Sequence, residues 1–140
     1  MAKTVLKFDS DDAFDFLLVG IICHQKDYRL CHELNRKLSL ELARQDDYEL
    51  RTPKRMNPAK FAQFKYKNED DDVYYIFSNK GKDDLLIPEQ HQVDYFMMIQ
   101  ENFKRIEMPD LINDIRNINF VLGAYPIDVK ILKSKEHFLF

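Results

Sequence analysis

Two runs of alternating side chains flank a short acidic stretch, and this pattern constrains the fold more than any other feature. In residues 60–67, Ala62, Phe64 and Tyr66 alternate with Gln63, Lys65 and Lys67. In residues 73–78, Val73, Tyr75 and Phe77 alternate with Tyr74, Ile76 and Ser78. A period of two places successive side chains on opposite faces of a strand. Two such runs joined by residues 68–72 predict a β-hairpin, and a hairpin commits the chain to antiparallel pairing.

The segments on either side follow in a readable order. Val5, Leu6 and Phe8 suggest a short opening strand or arm, followed by a turn at Asp9, Ser10, Asp11 and Asp12. Residues 14–23 are apolar and rich in β-branched side chains, which predicts a buried strand. Asp27 is expected as the N-cap of a helix, its carboxylate accepting from free N–H groups of the first turn. Leu30, Cys31, Leu34 and Leu38 form that helix's apolar stripe, with Glu33 and Lys37 as an i,i+4 pair on the other side. Leu40 and Leu42 predict a returning strand, and residues 51–58, with two prolines, predict a loop. After Pro88 a strand is expected over residues 93–100. A second helix is expected near Pro109, with Leu111, Ile112, Ile115 and Ile118 as its apolar face. Residues 120–122 and the alternation of Ile127, Val129 and Ile131 predict a last strand, and Phe138–Phe140 is expected to be tied down.

The order is strand, helix, strand, hairpin, strand, helix, strand. This is α+β, with two main helices on one face of a mostly antiparallel sheet burying all the stripes. By element order it resembles a ferredoxin-like or ACT-like sandwich. Residues 1–140 suit one domain, long enough to bury about 70% of the unfolded surface without metal or disulfide. A net charge of -3 weighs against nucleic acid as a partner. Cys23 and Cys31 fit neither C-x-x-C nor zinc-knuckle spacing, so a reducing cytoplasm is expected. No basic and then apolar leader opens the sequence, and the longest apolar run, residues 16–23, is too short to cross a bilayer.

Most familiar chemistries are absent from the pattern. His32 and Glu33 open an H-E-x-x-H string, but Arg36 stands at the second histidine position, so no zinc protease is expected. The aspartates at 9, 11, 12 and 15 break the calcium-loop pattern at Ala13, Phe14 and Gly20. His24, His32, His91 and His137 show no metal-ligand spacing. There is no phosphate-binding glycine loop or nucleophile elbow, and no metal or cofactor is expected. Glu69, Asp70, Asp71 and Asp72 are expected as a solvated hairpin tip. Arg51, Lys54, Arg55 and Lys60 form the best basic patch, with Phe61, Phe64 and Tyr66 nearby. RNA binding by phosphate contact and base stacking is one reading of it, with buried aromatics the alternative.

One string stands apart. Ile87, Pro88, Glu89, Val93, Asp94 and Tyr95 read I-P-E-x-x-x-V-D-Y. The sequence resembles the IPExxxVDY family, small bacterial proteins of the Bacteroidetes type named for this string. Gly20-Ile21 and the run Lys26, Asp27, Tyr28, Arg29, Leu30 extend the resemblance over nearly the whole chain. The resemblance implies a short cytosolic bacterial protein and carries no catalytic residues with it. Taken physically, Pro88 fixes its own φ and biases Ile87 to extended backbone. Val93 and Tyr95 are expected to face the core with Asp94 opposite, and Arg29 is expected to pair with Glu89 or Asp94. Asp27, Tyr28, Arg29, Pro88, Glu89, Asp94 and Tyr95 are therefore the candidate motif or binding residues. The expected function is non-enzymatic protein binding or regulation, through a partner protein or a homo-oligomer. The alternatives are an RNA-binding accessory protein and an enzyme using Glu89 or Asp94 as general base.

Overall fold

A strand with no polar alternation must be covered on both faces, and Tyr95–Gln100, reading YFMMIQ, is such a strand. A computed structural model describes residues 13–138 apart from 54 and 104. Its strands are β1 (Leu17–Cys23), β2 (Ala43–Arg44), β3 (Tyr48–Leu50), β4 (Ala59–Phe61), β5 (Gln63–Lys67), β6 (Val73–Ser78), β7 (Tyr95–Gln100) and β8 (Val121–Pro126). Its helices are α1 (Asp27–Leu38) and α2 (Met108–Arg116). The main sheet runs β2-β5-β6-β7-β1-β8 with every pairing antiparallel, while β3 and β4 form a separate ribbon. The chain is α+β, and the alternating runs pair as a hairpin with Phe64 opposite Ile76.

β7 divides two cores. On one face Val19, Ile21, Met97 and Ile99 meet Leu30 and Leu34 of α1 and Ile115 of α2. On the other, Leu18, Phe77, Phe96 and Met98 meet Phe61 of the ribbon, Leu86, Ile87 and Phe138. The Phe138 ring packs edge-on against Phe96, with centroids 5.5 Å apart. The helices therefore cover only one face. The second is closed by the ribbon and by 3₁₀ turns at Pro88–Gln90 and Lys135–Phe138.

Several local expectations need correction. Asp27 is the first residue of α1 and not its cap: Lys26 holds the cap position, and the Asp27 carboxylate accepts from Tyr28 N–H at 2.7 Å. Its charge there still favours the helix dipole. Glu33 pairs with Arg36, three residues on, and not with Lys37. The strand begins at Leu17, because Phe14 drops into the second core. Leu40 and Leu42 are buried, yet β2 holds only Ala43–Arg44, because the Asn35 amide takes the backbone of Leu42 in bonds of 2.9 and 3.3 Å. The run 60–67 breaks at Ala62, where the chain passes from the ribbon into the main sheet. Beyond Pro126 the alternation of Ile127, Val129 and Ile131 is a 3₁₀ turn at Val129–Ile131, held by the Asp128 carboxylate on Lys130 N–H. The expected N-terminal arm and its turn, and the last two residues of the expected C-terminal anchor, lie outside the described residues. Among the described residues, no helix is long and apolar enough to cross a membrane.

Candidate functional site

The I-P-E-x-x-x-V-D-Y string runs from the loop between β6 and β7 into the first residue of β7, and nearly all of its polar capacity is bonded within the fold. Asn79, fully buried, is the centre of that loop. Its amide oxygen accepts from Ile87 N–H at 2.8 Å, and its amide nitrogen donates to the carbonyls of Gln90 and Val93, both at 2.9 Å. Pro88 starts a 3₁₀ turn at a position where its missing N–H leaves nothing unpaired, with Ile87 extended before it. The Glu89 carboxylate accepts from the N–H and hydroxyl of Ser134, at 2.6 and 2.9 Å. Burial pushes the Glu89 carboxyl up, but those bonds and nearby backbone N–H groups outweigh it and hold it below the usual carboxylate value.

Asp94 is 7% exposed. One oxygen accepts from Cys23 N–H at the end of β1, at 2.9 Å, and the other meets Lys80 Nζ at 2.6 Å. The Tyr95 hydroxyl donates to Gln25 C=O at 2.7 Å, fastening the β1–α1 corner. Burial, followed by the charge of Asp27, pushes the Tyr95 phenol well up, so it stays a donor. Val93 and Tyr95 do not share a face: Val93 lies in the second core and Tyr95 in the helix-side core. The cation beside Asp94 is Lys80, not Arg29. Glu89 and Asp94 have separate partners and do not form a carboxylate pair.

The basic patch loses its stacking surface. Phe61 and Phe64 are core residues, 1% and 6% exposed, and Tyr66 stacks on Tyr74 at 6.1 Å. Arg55 pairs with Asp84. Arg51 and Lys60 are exposed, and Lys54 lies outside the described residues. The acidic tip is less solvated than its composition suggests. Asp72 is buried, accepting from Asn102 N–H at 2.7 Å, from the Asn68 amide at 3.1 Å and from Arg105 at 3.3 Å. Led by the Asn102 N–H bond, these contacts hold its carboxyl below the usual value. Among the described residues, no group of three or more His, Cys, Asp or Glu side chains could hold a metal ion. Cys23 and Cys31 are free and buried, and burial pushes the Cys31 thiol up to about 12, with the Asp27 charge adding to it. Neither is poised as a thiolate nucleophile.

Arg29 belongs to a different place, an open furrow of about 540 Å³ along the helix layer, and Tyr28 lines an adjoining hollow that shares Arg29, Glu33 and Phe120 with it. Arg29, Arg36 and Lys37 of α1 line one wall and Asn117, Asn119 and Phe120, just after α2, the other. The Arg29 guanidinium sits 5.6 Å from the Phe120 ring centre. A second groove lies at the far end of the helices, where Leu38 and Leu40 meet Arg105, Glu107, Asp110, Leu111 and Asp114, with the Arg105 guanidinium tied to Asp70 and Asp72. Arg29 thus lies beside the end of α2 and Leu38 beside its start, so the two helices run antiparallel. Periodicity alone gives each helix an exposed face, but it does not show that α1 contributes cations and α2 carboxylates to neighbouring grooves. Comparisons with protein-family models, curated proteins and solved structures found no match.

Proposed function

We propose that the chain is a non-enzymatic protein-binding module whose docking surface is the furrow over α1 and α2. The observation that carries this reading is the contrast between the two candidate regions. The motif carboxylates are bonded to backbone, Ser134 and Lys80, whereas the furrow and the hollow beside it present Arg29, Lys37 and a 60% exposed Tyr28 to solvent. A binding surface needs displayed side chains of this amphipathic kind. The same reading takes the chain as a member of the IPExxxVDY family acting in a reducing cytoplasm, which the six matching positions and the unpaired cysteines support. It also takes the fold as ferredoxin-like. Counted as one to four, β1, β6, β7 and β8 stand in the order 4-1-3-2, with α1 and α2 as the crossovers, which supports that reading.

Immobilised protein incubated with an extract of the source cells tests the function. A partner should be retained by the wild type and by Asp71→Asn, and lost with the double variant Arg29→Glu/Arg36→Glu. Retention that ignores the furrow variant, or a turnover activity abolished by Glu89→Gln, overturns the reading.

A further inference from the structure

The walls of the two grooves carry opposite charge. On α1, Arg29, Arg36 and Lys37 face outward, and Glu33 between them is tied to Arg36 at 3.1 Å. On α2 and the residue before it, Glu107, Asp110 and Asp114 recur along one side. Among the described residues, Lys37, Glu107, Asp110 and Asp114 make no side-chain hydrogen bond or ion pair. A row of exposed cations, of which Arg36 is held by Glu33 of its own helix, therefore runs beside a row of unpaired carboxylates on antiparallel helices. A two-fold axis that lays α1 of one molecule on α2 of another pairs both rows twice.

From this juxtaposition we infer that the occupant of the furrow is a second copy of this chain, docked helix layer to helix layer, with the α1 cations of each copy against the α2 carboxylates of the other. The inference rests on the furrow being a docking surface. Other occupants fit less well. An acidic peptide or an RNA strand would satisfy α1 but meet Glu107, Asp110 and Asp114 a helix away, and a basic partner would meet the reverse conflict. The exposed ring of Tyr28 and the half-buried Leu38, Ile106, Met108 and Phe120 add apolar area between the charges. A stable pair needs about 800 Å² from each copy, and a two-helix layer offers a surface of that order.

The sheet edges favour this route as well. Ile127 N–H points inward to Leu18 C=O, so Ala124 and Pro126 turn their backbone outward on β8. There Pro126 has no N–H to offer, and Arg116 Nε donates to Ala124 C=O at 2.9 Å. At the opposite edge β2 is two residues long. Both edges are poor templates for strand addition, which leaves the helix layer as the larger free surface.

Sedimentation equilibrium of the purified chain at low and high salt, with a charge-swap series, tests the inference. The wild type should dimerise at low salt and weaken by about tenfold or more as salt rises, since exposed ion pairs are screened. Arg29→Glu/Arg36→Glu alone and Asp110→Arg/Asp114→Arg alone should be monomeric, each with the circular dichroism and melting profile of a folded chain. Mixed together, the two variants should form a 1:1 dimer, because each reversed row then meets its complement. A wild type that stays monomeric at low salt, or a dimer untouched by both reversals, overturns the inference. A monomeric wild type that still retains a foreign partner through Arg29 and Arg36 removes the second copy and leaves the docking surface standing. Loss of both removes the surface itself.

Discussion

Asn79 carries more of the β6–β7 loop than any residue of the I-P-E-x-x-x-V-D-Y string. Its side chain satisfies the Ile87 N–H and the Gln90 and Val93 carbonyls, of which the Gln90 carbonyl also accepts from Val93 N–H at 3.1 Å. Removing a buried partner leaves the Ile87 N–H and the Val93 carbonyl unpaired, so Asn79→Ala should cost about 3 kcal/mol in urea unfolding at an unchanged m-value. Asn57→Ala in the exposed 51–58 loop should stay within about 0.5 kcal/mol. Nothing local in the sequence reveals this role, because an Asn after a strand has the same signature as an ordinary turn residue. Asp72 gives a pH-dependent counterpart. Its carboxyl lies below the usual value when folded, so the unfolded chain binds the proton more readily. Its stabilising effect is complete above the ordinary carboxylate value of about 4 and is lost as the pH falls through the lower folded value. The melting-temperature gap between wild type and Asp72→Asn should be widest near neutral pH and should close in acid. A gap that widens in acid would contradict this assignment.

At the scale of elements, the motif is a fastening between the β6–β7 loop and the corner joining β1 to α1. Tyr95→Phe keeps the ring and deletes only the bond to Gln25 C=O, so it should cost about 1 kcal/mol. Hydrogen exchange should quicken at residues 23–27 in Tyr95→Phe and Asp94→Asn, and not in β5 or β6. A double-mutant cycle should find coupling between Asp94 and Lys80, which are in contact, and additivity between Asp94 and Arg29. Elements with a long, single period were legible from sequence: the stripe from Leu30 to Leu38, the alternation of the β5–β6 hairpin and the face from Leu111 to Ile118. The ribbon was not, since three residues such as Tyr48–Leu50 are too few to show a period. The alternation after Pro126 misled because the backbone bonds locally through Asp128, and a side-chain period does not report that choice. The furrow stayed hidden because its two walls are some 80 residues apart in the chain and meet only through the strand order.

As a whole molecule, the chain has two cores built on one shared sheet. β7 contributes Met97 and Ile99 to one and Phe96 and Met98 to the other, so loosening either side disturbs the same strand. Unfolding should therefore be a single transition. Ile115→Ala, made in the helix-side core, should lower stability by about 3 kcal/mol and lower the midpoint equally for probes on both faces. Separate midpoints for the two faces would show two independent units. The position of β1 in the sheet has a consequence for biosynthesis. It lies between β7 and β8, with Leu17 opposite Ile99 and Val19 opposite Pro126. A ribosome releases β1 long before either neighbour, whereas β5 and β6 emerge together with their turn. The hairpin can close early, while Leu18, Val19 and Ile21 lack both their strand neighbours until residues 95–126 have been made. During that interval the nascent chain exposes an apolar strand with both edges free. Slowing translation between residues 23 and 95 should thus raise the chain's dependence on chaperones that shield nascent segments, even though the finished fold covers β1 on every side.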